Sequence, residues 1–318
     1  MKKCNTGSGF AVMAVSVWML CSCAVLSGER KPDYFAGSVE ELITANVVRT
    51  ADTEYEKDGV LAEDKKGRLQ EAFYGTTVCG PDIRRMLVYL PRDYDKTDRN
   101  YPVVYLLHGA RGYESSWIKK GDILNIADSL TSRGLAEEAI IVMPNVNQYD
   151  SDDDMGSSRR KNALESLFEV DGAVESGFIN DVVEFTDRHF RTIPDKRHRA
   201  IAGLSIGGLQ TMYITANSPD TFGYIGMFSA LTRIMRKGSP HSTFYNDAKD
   251  KLDAQFANAP ELYLIMIGRK DIFLGDNRRF SRYLTQKGYP HSFIVTPGGH
   301  DWPYWKSDCI HFLQQVFK

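Results

Sequence analysis

From about residue 68 to the C-terminus, short runs of apolar residues alternate with stretches in which apolar positions recur every three or four residues. The runs are "RMLVYLP" from Arg85, "PVVYLLHG" from Pro102, "AIIVMPN" from Ala139, "RAIAG" from Arg199, "YIGMFSA" from Tyr224, "LYLIMIG" from Leu262 and "HSFIVT" from His291. Helical spacing falls between them, over 123–133, 178–189, 207–216, 277–287 and 306–317. A short run that is apolar throughout predicts a strand buried on both faces. Strands of this kind alternating with helices predict a mostly parallel sheet covered on both sides, so the fold class is α/β.

The beginning of the chain has another texture. Lys2 and Lys3 precede the apolar run "FAVMAVSVWMLC", and "CSCAV" follows at once, which is the layout of a secretory signal over 1–23. The run is shorter than the roughly 20 apolar residues a spanning helix needs, so cleavage is expected rather than a permanent span. "LCSC" also resembles a bacterial lipoprotein signal, with Cys23 as the lipidated first residue of the mature chain, against ordinary secretion with cleavage near Ala24. The expected location is therefore the periplasm or, as a lipoprotein, the outer membrane, with lipid at Cys23 as the sole membrane attachment. Residues 24–67 carry "TADTEYEKDG" and "AEDKKGR" without apolar period and are expected to form a polar leader or tether ahead of one domain over 68–318.

Charge changes this picture little: a formal net charge of -2 supplies no basic excess for nucleic acid or anionic lipid. Of five cysteines, Cys4 and Cys21 fall within the signal and Cys79 and Cys309 within the domain, where pairing and two buried thiols both remain open. No CxxC or Cys/His spacing suggests zinc. The acidic loop "YDSDDDMGSSRRKN" places Asp150, Asp152 and Asp154 like the first ligands of a calcium loop. Met155 and Lys161 stand where that loop needs glycine and glutamate, so a solvated loop is expected and no metal.

The most informative stretch is "RAIAGLSIGGLQTMYI", in which Gly203, Ser205 and Gly207 spell G-x-S-x-G between a buried strand and a helix. A sharp strand-to-helix turn lifts a serine hydroxyl above the sheet only if the residues two places away lack colliding side chains. The plain alternative is a serine capping the helix. A base is available in His300, after the strand "HSFIVT" and the turn "PGG". An orienting carboxylate is available in Asp271, just past "LYLIMIG"; Asp276 is its rival, and Asp301 adjoins His300 too closely to bend back to its ring. The backbone N–H groups of Ala110, after "YLLHG", and Ile206 are placed to stabilise an oxyanion, with His108 bracing the loop. This apparatus for nucleophilic catalysis implies no metal or organic cofactor.

The pieces "MLVYLPRDYD", "YPVVYLLHGARGYESSW", "RAIAGLSIGGLQTMYI", "FGYIGMFSA", "GRKDIF" and "TPGGHDWPYW" together resemble the esterase D family of α/β-hydrolases. That family includes the feruloyl and acetylxylan esterases of carbohydrate esterase family one and relatives of enterochelin esterase. The resemblance implies the α/β-hydrolase fold and carboxylic-ester hydrolysis through an acyl-serine intermediate by Ser205, Asp271 and His300. With an exported chain it implies an acylated plant polysaccharide or oligosaccharide, such as feruloylated or acetylated xylan, as substrate. Trp117, Trp302, Tyr304 and Trp305 would supply an aromatic wall or else pack the core beneath the histidine. The alternatives are a siderophore esterase, for which Arg159 and Arg160 are the only hint, an acyltransferase of the mycolyltransferase type, and a carbohydrate-binding descendant that has lost catalysis. The acidic loop from Asp150 is longer and more charged than the family pattern.

Overall fold

The computed structural model describes residues 66–77, 83–147, 172–232 and 247–318. Its strands are β1 (Arg68–Gly75), β2 (Ile83–Leu90), β3 (Val103–Leu107), β4 (Ile140–Pro144), β5 (Arg199–Leu204), β6 (Tyr224–Phe228), β7 (Leu262–Gly268) and β8 (Ser292–Thr296). They form one eight-stranded sheet in the order β1-β2-β4-β3-β5-β6-β7-β8. β1 pairs antiparallel with β2 and β2 antiparallel with β4, and all other neighbours run parallel. The strands from β3 to β6 are buried along their whole length, as continuous apolar runs require.

Alternate residues of each strand feed two cores. Val103, Tyr105 and Leu107 of β3 join the first, and Val104 and Leu106 the second. The helices are α1 (Ser116–Lys119), α2 (Ile123–Ser132), α3 (Ala173–Phe178), α4 (Glu184–His189), α5 (Ile206–Asn217), α6 (Ala248–Ala257), α7 (Leu274–Lys287) and α8 (Trp302–Leu313). A π-helical turn over Ile179–Val183 joins α3 to α4 without a break. Phe178, Met212, Leu252 and Phe280 cover one face of the sheet, from α3, α5, α6 and α7. Ile126 and Leu130 of α2 cover the other, with Ile310 and Phe312 of α8.

The chain passes from β3 to β4 on one side and then crosses to β5 on the other side of β3. In such sheets ligands bind where the strand order reverses, at the carboxyl ends of the strands. Leu107 pairs with Gly203, Leu204 with Phe228 and Gly268 with Thr296, so the segments after β3, β5, β6, β7 and β8 emerge along one edge. The predicted α/β class is the observed one. Three elements lie outside the predicted set, β1, α1 and α6; α3 precedes the helix expected over 178–189, and α8 begins at Trp302, four residues ahead of the expected helix.

Candidate active site

Ser205 sits between β5 and α5 at φ 54° and ψ -114°, a strained conformation for a residue with a Cβ. The turn that imposes it closes because a Cβ on Gly203 would lie 2.3 Å from the Gly207 carbonyl oxygen, a contact only glycine avoids. The Ser205 N–H donates to the Phe228 carbonyl at 2.8 Å, which ties the turn to β6. Its hydroxyl makes no capping bond to α5, so the helix-cap alternative does not hold. Instead Oγ lies 3.0 Å from His300 Nε2.

His300 is delivered by the loop after β8. Gly298 there adopts φ 121°, and the ring of Tyr304 lies so close to it that a Cβ would fall 2.2 Å from ring carbons. The imidazole stands edge-on between Phe273 and Trp305, with ring centroids 5.1 and 5.0 Å away. Its Nδ1 lies 2.9 Å from Asp271 Oδ2. An ionised carboxylate only accepts, so Nδ1 donates the proton and Nε2 presents its lone pair to the Ser205 hydroxyl.

The Asp271 side chain is wholly buried, while His300 keeps 24% of its side-chain surface exposed. Asp271 Oδ1 accepts the Phe273 N–H at 2.8 Å. Burial by itself would push this carboxyl up. The hydrogen bond and charge of His300, the Phe273 N–H and the nearby Ser229 hydroxyl outweigh it and hold the group below the usual range. Asp276, its rival, lies in the first turn of α7 and pairs with Arg279.

Ile206 opens α5, where an N–H has no intrahelical acceptor. The loop after β3 packs onto the same turn, since a Cβ on Gly109 would lie 3.3 Å from Ser205 Cβ, and Ala110 follows directly. His108 holds that loop: its Nδ1 donates to the Gly109 carbonyl at 2.9 Å, and its Nε2 accepts the Val146 N–H at 3.1 Å. Two further contacts have no local sequence signal. Gln210 Nε2 on α5 donates to the Val146 carbonyl at 3.1 Å and to Glu175 of α3 at 2.8 Å. Ser229 lies beside Asp271 only because β6 adjoins β7.

The aromatic residues divide. Trp117 is a correction to the expected substrate wall: it is 1% exposed, donates Nε1 to the Leu107 carbonyl at 3.1 Å and packs edge-on against Phe228, beneath the site. Trp302 is half-buried, 5.2 Å from Trp117 and 5.5 Å from Trp305 between ring centroids, and Trp305 is buried. Cys309 is a buried free thiol on α8. Residues 1–65, Cys79, the loop from Asp150 to Asp154, Arg159 and Arg160 lie outside the described residues. Among the described residues no helix is long and apolar enough to cross a membrane.

With this geometry in place, similarity to known proteins can be read. The family model named Esterase matches residues 81–315. An endo-1,4-beta-xylanase/feruloyl esterase of Xylanibacter ruminicola is 34% identical over 170 residues, covering 52% of this chain and 22% of that protein. This chain thus spans well under two thirds of that relative. An acetyl esterase of Caldicellulosiruptor saccharolyticus is 25% identical over 251 residues, 70% of this chain and 86% of that protein. Among solved structures, a CE1 ferulic acid esterase of the anaerobic fungus Anaeromyces mucronatus superposes with a TM-score of 0.65 at 25% identity, covering 83% of this chain and 94% of that one. The family match takes in most of the sheet together with Ser205, Asp271 and His300, and the chain belongs to the esterase family, with the α/β-hydrolase fold of serine esterases.

Proposed function

We propose that this chain is an exported serine esterase that removes feruloyl or acetyl groups from plant cell-wall polysaccharide through an acyl-serine intermediate. The observation that carries the reading is the unbroken hydrogen-bonded path from Ser205 Oγ through His300 to the buried Asp271 carboxylate. Ser205 Oγ attacks the ester carbonyl carbon while His300 Nε2 takes its proton. The carbonyl oxygen becomes an oxyanion facing the Ala110 and Ile206 N–H groups, and loss of one such donor costs about 3 kcal/mol of barrier. Asp271 stabilises the imidazolium and keeps its proton on Nδ1. Collapse of the tetrahedral centre breaks the bond to the alcohol oxygen, which receives the proton from Nε2 and leaves. Water then attacks the acyl-serine with His300 again as base, releasing the acid and restoring Ser205.

The choice of acyl group and polymer leans on two relatives, one named a xylanase/feruloyl esterase and one an acetyl esterase. Export leans on the basic, apolar and small-residue sequence of 1–23. The test is hydrolysis of p-nitrophenyl acetate, methyl ferulate and acetylated xylan by the protein and by its Ser205→Ala variant, with an acceptor sugar added in parallel. Cleavage of methyl ferulate by the parent alone supports a feruloyl esterase, and preference for acetylated xylan a deacetylase. An acylated sugar as main product would replace hydrolysis by transfer, and equal activity of both proteins would remove Ser205 from the mechanism. Growth with labelled palmitate, with and without Cys23→Ala, reports on the anchor.

A further inference from the structure

In the esterase reading the two oxyanion donors belong to different parts of the chain, Ile206 to α5 and Ala110 to the loop after β3, so their spacing depends on what ties α5 to that loop. The segment leaving β4 makes such a tie. On the loop side it holds the chain at two points, one on each side of Ala110. The Val146 N–H donates to His108 Nε2 at 3.1 Å, and Asn147 Nδ2 donates to the Gly112 carbonyl. On the helix side, Gln210 Nε2 donates to the Val146 carbonyl at 3.1 Å. Gln210 lies one turn after Ile206, and a helical side chain leans back toward the preceding turn, so its amide restrains the part of α5 that carries the Ile206 N–H. The residue is 3% exposed, and Nε2 also donates to the buried Glu175 Oε1 of α3 at 2.8 Å. A carbonyl only accepts, so the amide nitrogen and not its oxygen must face Val146. The oxygen Oε1 is left buried with no hydrogen-bond partner among the described residues. An oxygen so placed costs free energy that an apolar side chain would avoid, and the two donors are what the position offers in return.

We infer that Gln210 is a positioning residue: through Val146 it locks the Ile206 N–H of α5 to the loop that bears the Ala110 N–H, and so sets the spacing of the two oxyanion donors. The inference rests on the esterase reading above and deepens it. Gln210 touches no reacting atom; it acts through Val146, His108 and Asn147. Gly207 limits how closely α5 approaches the loop, because a Cβ there would meet the His108 carbonyl oxygen at 2.3 Å, and Gln210 limits how far α5 recedes. Donors aimed at a developing charge lose effect when displaced by a fraction of an ångström, whereas the uncharged ester carbonyl draws little on them. The loss of Gln210 therefore falls on kcat and spares KM.

The test compares Gln210→Met and Gln210→Asn with the parent on p-nitrophenyl acetate, well below the melting temperature of each protein. Methionine keeps the length and removes both donors. Asparagine keeps the amide but stops one methylene short of Val146, and it carries the test where the first variant does not fold. For both, kcat should fall about tenfold with KM unchanged. A trifluoromethyl ketone gives a second readout: its carbonyl carbon bonds to Ser205 Oγ, the hydroxyl proton passes to His300 Nε2, and the carbonyl oxygen becomes an oxyanion. It should bind about tenfold more weakly to either variant. A side chain that served packing alone would lower the melting temperature and leave both readouts at parental values. That result in a folded variant would overturn the inference while leaving the esterase reading intact. Combined with His108→Ala, Gln210→Met should lower kcat by less than the product of the two separate falls, because both act on the one Val146 bridge. Falls that multiply in full would detach Gln210 from the loop and overturn the inference. A parent inert towards every ester would overturn the esterase reading and the inference with it, an outcome distinct from an active parent whose Gln210 variants keep its kinetics.

Discussion

A Cβ on Gly207 would lie 2.3 Å from the carbonyl oxygen of His108 and 2.8 Å from that of Leu107. The first turn of α5 thus rests directly on the backbone at the end of β3, and backbone cannot step aside as a flexible side chain can. Gly207→Ala should part these elements, separating the Ile206 and Ala110 N–H groups. The expected outcome is a loss of about 1–3 kcal/mol in chemical denaturation and at least a tenfold fall in kcat, since donors aimed at a developing charge are sensitive to sub-ångström displacement. Parental kcat in the alanine variant would contradict the packing described.

Asp271→Asn keeps the shape of the acid and removes its charge. The amide can present N–H to His300 and hold the wrong tautomer, so kcat should fall by roughly 10⁴ with KM little changed. Asp276→Asn, which loosens the pair with Arg279 and leaves the Asp271–His300 contact in place, should stay within a few-fold of the parent. The two variants also differ in pH behaviour. The folded pKa of Asp271 is depressed, so its stabilisation is fully present above the ordinary carboxylate range near pH 4 and disappears as pH falls through the depressed value. The gap in melting temperature between the parent and Asp271→Asn should therefore narrow on acidification below about pH 4, as thermal scans across that range would show.

What the sequence discloses here follows from where each signal is local. Ser205, Asp271 and His300 each lie within a few residues of a strand end, so "GLSIG", "GRKD" and "TPGGH" carry their own context, and the structure brings the three together. β1 is hidden because it is an edge strand: Ala72 and Tyr74 are its only buried positions, too few to make an apolar run. α6 is hidden for a related reason, with only Leu252 and Gln255 buried. The aromatic residues of "HDWPYW" suggested a wall but also form the first turn of α8, with proline at its start. Ser229 has no local signature, because its relation to Asp271 arises from sheet order.

Trp117 and Trp302 touch, yet they should respond differently to truncation. Trp117→Ala empties a fully buried site and removes the donor to the Leu107 carbonyl, so a stability loss of about 3–5 kcal/mol is expected in denaturant titration. Trp302 is half-buried against the same cluster, next to the His300 loop. If it contacts an aromatic acyl or sugar group, Trp302→Ala should raise KM for methyl ferulate several-fold and leave that for p-nitrophenyl acetate nearly unchanged. Equal changes for both substrates would assign Trp302 to packing alone.

His108 is buried, and both ring nitrogens are engaged by backbone groups, Nδ1 with the Gly109 carbonyl and Nε2 with the Val146 N–H. A carbonyl only accepts and an amide N–H only donates, which fixes a neutral ring with its proton on Nδ1 and leaves neither nitrogen for substrate. The ring joins the loop after β3 to the chain leaving β4, two residues before Ala110. His108→Ala leaves the Val146 N–H buried without its acceptor, a loss of about 1–3 kcal/mol. It also frees the loop that presents the Ala110 N–H, so kcat should fall about tenfold to a hundredfold with KM little changed. A histidine engaged in proton transfer would behave otherwise: its alanine variant would drop to the level of His300→Ala, about a thousandfold or more below the parent. Side-by-side kinetics of His108→Ala and His300→Ala therefore decide whether this chain uses one histidine or two, and the geometry requires that it use one.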